Sequence, residues 1–210
     1  LRFASAVSGQ PGTAAALDEL LTQLHRQLDG HADLVAAFLT AEHAEHLPLI
    51  REQIQRAVQP GLFVAVSAEG VLGAGQELYR RTGLSILAAS LPGVTLRAFH
   101  LEELDWPAIL DTPTQLRQPL MGPDTSDDAP DPAGLILLAD PFSTPIARLL
   151  PAMQQALPAT PIVGGMLSAA RQRGGDRLVL NGQSWQQGAI GITVAGDIQI
   201  DSTVSQGCRP

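Results

Sequence analysis

Ser67 and Glu69, two residues apart and followed by glycines at 70, 73 and 75, put a hydroxyl, a carboxylate and unshielded backbone amides into one short stretch. A hydroxyl can bind a polar group, a carboxylate can bind an ammonium, and glycine lets backbone N–H groups come close to a bound molecule. The stretch follows the apolar run Leu62-Phe63-Val64-Ala65-Val66, so a buried strand would deliver these groups to one spot. On this reading Ser67, Glu69 and Gly70 bind a small polar molecule. The alternative is that the glycines only turn the chain and Glu69 is solvated. The glycine order matches neither G-x-G-x-x-G nor the Walker pattern, so this is not a phosphate loop.

A second stretch has the same build. Pro161-Ile162-Val163 runs into Gly164-Gly165-Met166-Leu167-Ser168, with Arg171 and Arg173 following to meet a carboxylate. Gly164, Gly165 and Ser168 join the candidate site, which is expected to be touched from both stretches. Asp140 leaves another apolar run, Gly134 to Ala139, and opens Asp140-Pro141-Phe142-Ser143-Thr144-Pro145. Ligands of parallel sheets collect at the carboxyl ends of strands, so Asp140 is either a contact or a turn former. His43 and His46, interleaved with Glu42 and Glu45, could face one side of a helical turn. No further ligand cluster accompanies them, so a solvated helix start is expected and no metal or cofactor is assigned. No G-x-S-x-G and no interpretable Ser, His and acid set supports nucleophilic catalysis. Trp106 and Trp185 read as packing residues.

These groups need a scaffold. Arg2 to Ser8 alternates as a strand, and Thr13 caps a helix with Leu17, Leu20, Leu21, Leu24 and Leu28 on one face. Asp33 to Thr40 is continuously apolar like a strand buried on both faces. A helix from about His46, with Leu47, Ile50, Ile54 and Val58 inward, returns the chain at Pro60-Gly61 to the strand that ends at Ser67. Leu84 to Ser90 and Val94 to His100 read as a hairpin turned at Leu91-Pro92-Gly93. The proline- and aspartate-rich region from about Glu102 to Pro132 reads as a seam that ends in an exposed, mobile loop.

The order then recurs about 100 residues on. Gly134 to Ala139 is a strand, Pro145 to about Leu157 a helix in which Pro151 marks a kink or the true start, and Pro161 to Val163 a strand. Ala189 to Ala195 and Ile198 to Val204 read as a hairpin at Gly196-Asp197, and Asn181-Gly182 turns another of type I′. The expectation is an α/β fold: mixed sheets covered by helices, built from two pseudo-repeated β-α-β plus antiparallel-hairpin halves, about 33–104 and 134–205.

Composition bounds the rest. The 210 residues are 45% hydrophobic, enough for a real core, and only 16% charged, with a net charge of −8. That balance argues against a nucleic-acid or anionic-membrane partner. Lysine is absent, which excludes a Walker lysine, a Schiff base and a lysine general base. A single cysteine, Cys208, excludes an intrachain disulfide and a multi-cysteine zinc site, and fits a cytoplasmic setting. No apolar run approaches membrane-span length.

Several segments read together: Arg2-Phe3-Ala4-Ser5-Ala6, Val66-Ser67-Ala68-Glu69-Gly70-Val71-Leu72-Gly73, Ala88-Ala89-Ser90-Leu91-Pro92-Gly93, Leu180-Asn181-Gly182 and the more specific Val204-Ser205-Gln206-Gly207-Cys208-Arg209-Pro210. On these the chain resembles the FIST N-terminal domain family, sensory modules named for F-box and intracellular signal transduction proteins. The resemblance implies one sensory domain over 1–205, with 206–210 starting a linker to a FIST C-terminal domain, and a small amino acid-like ligand. The alternatives are a hydrolase or transferase using acidic residues at the strand ends, or a partner-binding scaffold.

Overall fold

The computed structural model describes residues 1–28, 30–101, 106–123, 126 and 129–203. Two sheets stack face to face and helices cover both outer faces. Strands β1 (Arg2–Ser8), β2 (Leu34–Leu39), β3 (Leu62–Ser67), β6 (Leu84–Ser90), β10 (Leu178–Leu180) and β11 (Gln183–Trp185) form the first sheet, in the order β1-β6-β2-β3-β10-β11. The second has the order β7-β12-β8-β9, from β7 (Val94–Leu101), β8 (Gly134–Ala139), β9 (Ile162–Met166) and β12 (Ala189–Gly196). Strands β4 (Gly70–Gly73) and β5 (Gln76–Tyr79) make a separate two-stranded ribbon.

Alternation along each strand builds three apolar layers. Val35, Ala37, Leu39, Phe63 and Ala65 face helices α1 (Thr13–His25) and α3 (Leu47–Val58). Ala36, Val64 and Val66 point the other way and meet Ile190, Ile192 and Val194 of β12 between the sheets. Leu135, Leu137 and Ala139 then face α6 (Ile146–Ala156) and the short α4 (Trp106–Asp111) and α5 (Arg117–Met121). Strands β2 and β3 thus have apolar residues on both faces, as their continuous apolar runs predict.

The helices follow their patterns. In α3 Leu47, Ile50, Ile54 and Val58 are all buried, Pro48 lies in the first turn, and Gln59 ends the helix in the left-handed region ahead of Pro60. Pro151 sits inside α6. Asn181 and Gly182 both have positive φ, as the β10–β11 turn requires.

Two expectations fail, each for a local reason. Leu84–Ser90 and Val94–His100 do not pair as a hairpin: β6 is already bonded to β1 on one side and β2 on the other, so β7 crosses to the second sheet. Leu91, buried between the sheets, anchors the crossing. The first part of the proline-rich seam, for which no structure was expected, carries short helices from 106 to 121, where Leu110, Leu116 and Leu120 are buried. Residues 198–203 form no strand, so the hairpin expected at Gly196-Asp197 is absent there; β12 pairs with β7 and β8 instead. Val204, Cys208, Asp124, Asp127 and Asp128 lie outside the described residues.

Candidate functional site

The carboxyl ends of the parallel strands β2 and β3 open onto a cleft of about 180 Å³. Four chain segments wall it. Thr40 and Glu42 come from the exit of β2 and the short helix α2 (Ala41–Ala44). Ala68 and Glu69 follow β3, Arg80 and Arg81 precede β6, and Ala169 arrives from the loop after β9. This is where ligands of open α/β sheets collect.

Ser67 lies below the cleft. Its side chain is buried; Oγ donates to Asp176 Oδ1 at 2.7 Å and accepts from the Arg177 amide at 2.9 Å. Asp176 is also fully buried, and Oδ1 accepts from the amides of Ala169 and Ala170, each at 3.1 Å. A carboxylate holding one hydroxyl and two amides pins the loop after β9 to the end of β3. Ser168 completes the clasp, its Oγ accepting from the Glu69 amide at 3.1 Å.

The wall itself carries both signs of charge. The Glu69 carboxylate is about half exposed and stands 3.9 Å from Arg80 Nε, and the Arg80 guanidinium lies 5.1 Å from the centre of the Tyr79 ring. Glu42 is held below the usual carboxylate range, first by a hydrogen bond from the Thr40 side chain and then by its own backbone amide, against a small opposing effect of burial. Two carboxylates and two guanidiniums therefore line one small cleft.

The sequence-derived site residues divide. Ser67, Glu69 and Ser168 lie together, with Ser67 and Ser168 hydrogen-bonded to the chain itself. Gly70 pairs with Tyr79 in the β4–β5 ribbon, and a Cβ there would meet the Leu78 carbonyl at 3.0 Å. Ala74 and Gly75, at φ 46° and 76°, turn that ribbon. Gly70, Gly73 and Gly75 are thus spent on a hairpin that the sequence reading missed.

Gly164 and Gly165 are not a strand exit. The strand runs through them to Met166 at the sheet edge, where they line a separate apolar groove of about 200 Å³ beside Ile146, Leu150 and Ile162. Asp140 is fully buried at the end of β8, its Oδ2 accepting from Ser143 Oγ at 2.5 Å and its carbonyl from the Thr144 amide. It serves as a turn former. His43 corrects the solvated-helix expectation: it is fully buried, with Nδ1 2.9 Å from Thr13 Oγ1, whereas His46 is exposed. Among the described residues no group of three or more His, Cys, Asp or Glu side chains is placed to hold a metal ion.

Thr40, Arg80, Arg81 and Asp176 were not singled out from the sequence, and Glu42 was named only beside the histidine pair. Thr40 was within reach, since it ends a run read as a parallel strand. The arginines were not, because their place depends on the β4–β5 ribbon.

Residues 33–210 match the family model of the FIST N domain. The chain is 28% identical over its whole length to the uncharacterized protein Rv0628c of Mycobacterium tuberculosis, covering 52% of that protein. It is 25% identical, again over its whole length, to the uncharacterized protein Mb0898c of Mycobacterium bovis, covering 51%. The chain spans about half the length of the curated relatives it matches.

Proposed function

Because the chain belongs to the FIST N domain family, a family of sensory domains in signal transduction, we propose that it binds an amino acid or similar small zwitterion in the cleft at the ends of β2 and β3. The observation that carries this reading is the mixed charge of the wall. Glu69 and Glu42 suit an ammonium, Arg80 and Arg81 suit a carboxylate, and about 180 Å³ suits a molecule of that size. Ser67, Ser168 and Asp176 position the wall from beneath. Asp140, Gly164 and Gly165 have no place in this version of the site, and Gly70 acts only by shaping the ribbon that carries Arg80.

The same reading makes residues 1–205 a single sensory domain, with 206–210 leading to a FIST C-terminal domain in a cytoplasmic protein. The roughly twofold length of the relatives supports a further domain. An internal duplication is supported by strand order: β1-β6-β2-β3 and β7-β12-β8-β9 share the sequence antiparallel, antiparallel, parallel. On that alignment β7 (Val94–Leu101) moves from the half expected at 33–104 to open the second unit, and the first unit extends back to β1. Among the described residues no helix is long and apolar enough to cross a membrane.

A thermal-shift screen against zwitterionic metabolites, paired with native mass spectrometry of the freshly purified protein, tests the proposal. A raised Tm with a zwitterion, or a co-purified one, is expected. No Tm shift with any zwitterion and no co-purified one contradicts it.

A further inference from the structure

We propose a second ligand site on the outer face of the first sheet, a cavity lined by Arg51 and Arg177 that binds a small oxyanion carrying an apolar group. They line one cavity of about 270 Å³ with Ser184, Leu47, Pro48 and Val179. It lies where β10 and β11 extend the sheet past the start of α3. It shares no lining residue with the cleft of Glu69 and Arg81.

The charge in this cavity has one sign. Among the described residues its lining includes no carboxylate, in a protein whose net charge is −8. Arg51 is exposed and takes part in no ion pair among the described residues, unlike Arg56 on the same helix, whose guanidinium meets Glu52 at 2.5 Å. The Arg51 guanidinium lies against the turn at Gly182, where a Cβ would fall 2.3 Å from Cζ. Gly182 therefore does more than turn the hairpin: any side chain at 182 would displace the guanidinium.

Arg177 is held by neutral acceptors. Its Nη1 donates to the carbonyls of Asp176 at 2.9 Å and Gly174 at 3.2 Å, and the Gln186 side-chain oxygen can accept from both terminal nitrogens. Such contacts fix a guanidinium in place without neutralising it. The first turn of α3, which supplies Leu47 and Pro48, carries no acidic residue, so the helix dipole adds to the same field. Ser184 offers a hydroxyl to an anion, and Leu47, Pro48 and Val179 give an apolar wall for the rest of the molecule.

A phosphate monoester and a carboxylate share this chemistry, and phenyl phosphate and benzoate separate them. Isothermal titration of the whole chain with each, at low ionic strength, is expected to give saturable binding of at least one. Arg51→Gln should weaken that binding at least tenfold, with Arg51→Lys intermediate. Arg56→Gln and Glu69→Gln should leave it unchanged, and the latter keeps this result separate from the zwitterion site. Circular dichroism must show the Arg51 variants folded, which the exposure of that side chain makes the expected outcome. The proposal is overturned if neither probe binds the folded wild-type chain saturably. It is equally overturned if Arg51→Gln binds as wild type does, or if Arg56→Gln weakens binding as much.

Discussion

Ser67 Oγ donates a 2.7 Å hydrogen bond to Asp176, joining the end of β3 to a residue 109 positions later in the chain. Both groups are buried, and the same carboxylate holds the amides that bring Ala169 to the cleft. Removing the hydroxyl leaves a buried carboxylate with one donor fewer and the Arg177 amide without its acceptor. Ser67→Ala is therefore expected to cost about 1–2 kcal/mol, and Asp176→Ala, which strands two amides as well, about 2–3 kcal/mol. Denaturant melts check both, and equal effects of the two substitutions contradict the shared role of Asp176.

Gly164 and Gly165 are neighbours with opposite demands. At Gly164, φ is 145° and a Cβ would stand 1.8 Å from the Leu137 carbonyl oxygen; at Gly165 a Cβ meets nothing within 4 Å. Gly164→Ala is expected to destabilise the chain by about 3 kcal/mol or more through backbone displacement. Gly165→Ala should stay within about 0.5 kcal/mol of wild type. Thermal melts of the pair decide it, and matching Tm values would remove the reason given for a glycine at 164.

His43 makes stability depend on pH. Burial lowers its pKa, outweighing the opposing backbone contact at Gln10 and the charge of Glu42. The unfolded imidazole titrates near about 6.5, so as pH falls below that value the unfolded chain binds the proton first. Stability is then fully present above the unfolded pKa and is lost as pH falls toward the lower folded value. Melts from pH 8 to pH 5 should show Tm falling on acidification. His43→Gln should flatten that slope whatever it does to Tm at pH 8, and an unchanged slope excludes His43 as its source.

Arg117 and Asp131 fasten the helical seam. Arg117 Nη1 is 2.6 Å from Asp131, and the guanidinium also donates to the carbonyls of Ala156 and Ala129. Burial raises the Asp131 pKa, but the hydrogen bond from Arg117, the Ala159 amide and the Arg117 charge together hold it below the usual range. Arg117→Ala should cost about 2 kcal/mol at neutral pH. Measured by urea unfolding, the difference should narrow on acidification as Asp131 is protonated in both proteins. A difference that does not change with pH contradicts the ion pair.

Local chemistry made much of this fold legible. The buried parallel strands at 34–39 and 62–67 announced themselves as continuous apolar runs, α3 by the spacing of Leu47, Ile50, Ile54 and Val58, and the β10–β11 turn by Asn181-Gly182. What the sequence hid was decided by partners far along the chain. Leu84–Ser90 and Val94–His100 look like a hairpin until β1 and β2 occupy both edges of β6. His43 looks solvated until α1 brings Thr13 over it. At the candidate site, Ser67, Glu69 and Ser168 were found because they follow strands. Asp176 was missed because its partners lie in two separate segments, with no spacing to mark them.

The zwitterion cleft is the central claim, and isothermal titration of the wild-type chain and of Glu69→Gln with the twenty amino acids tests it most directly. At least one amino acid should bind saturably to the wild-type chain, and Glu69→Gln, which keeps shape but removes charge, should weaken it about tenfold, or about 1.4 kcal/mol. No saturable binding by any of the twenty, or binding that Glu69→Gln leaves intact, contradicts the account.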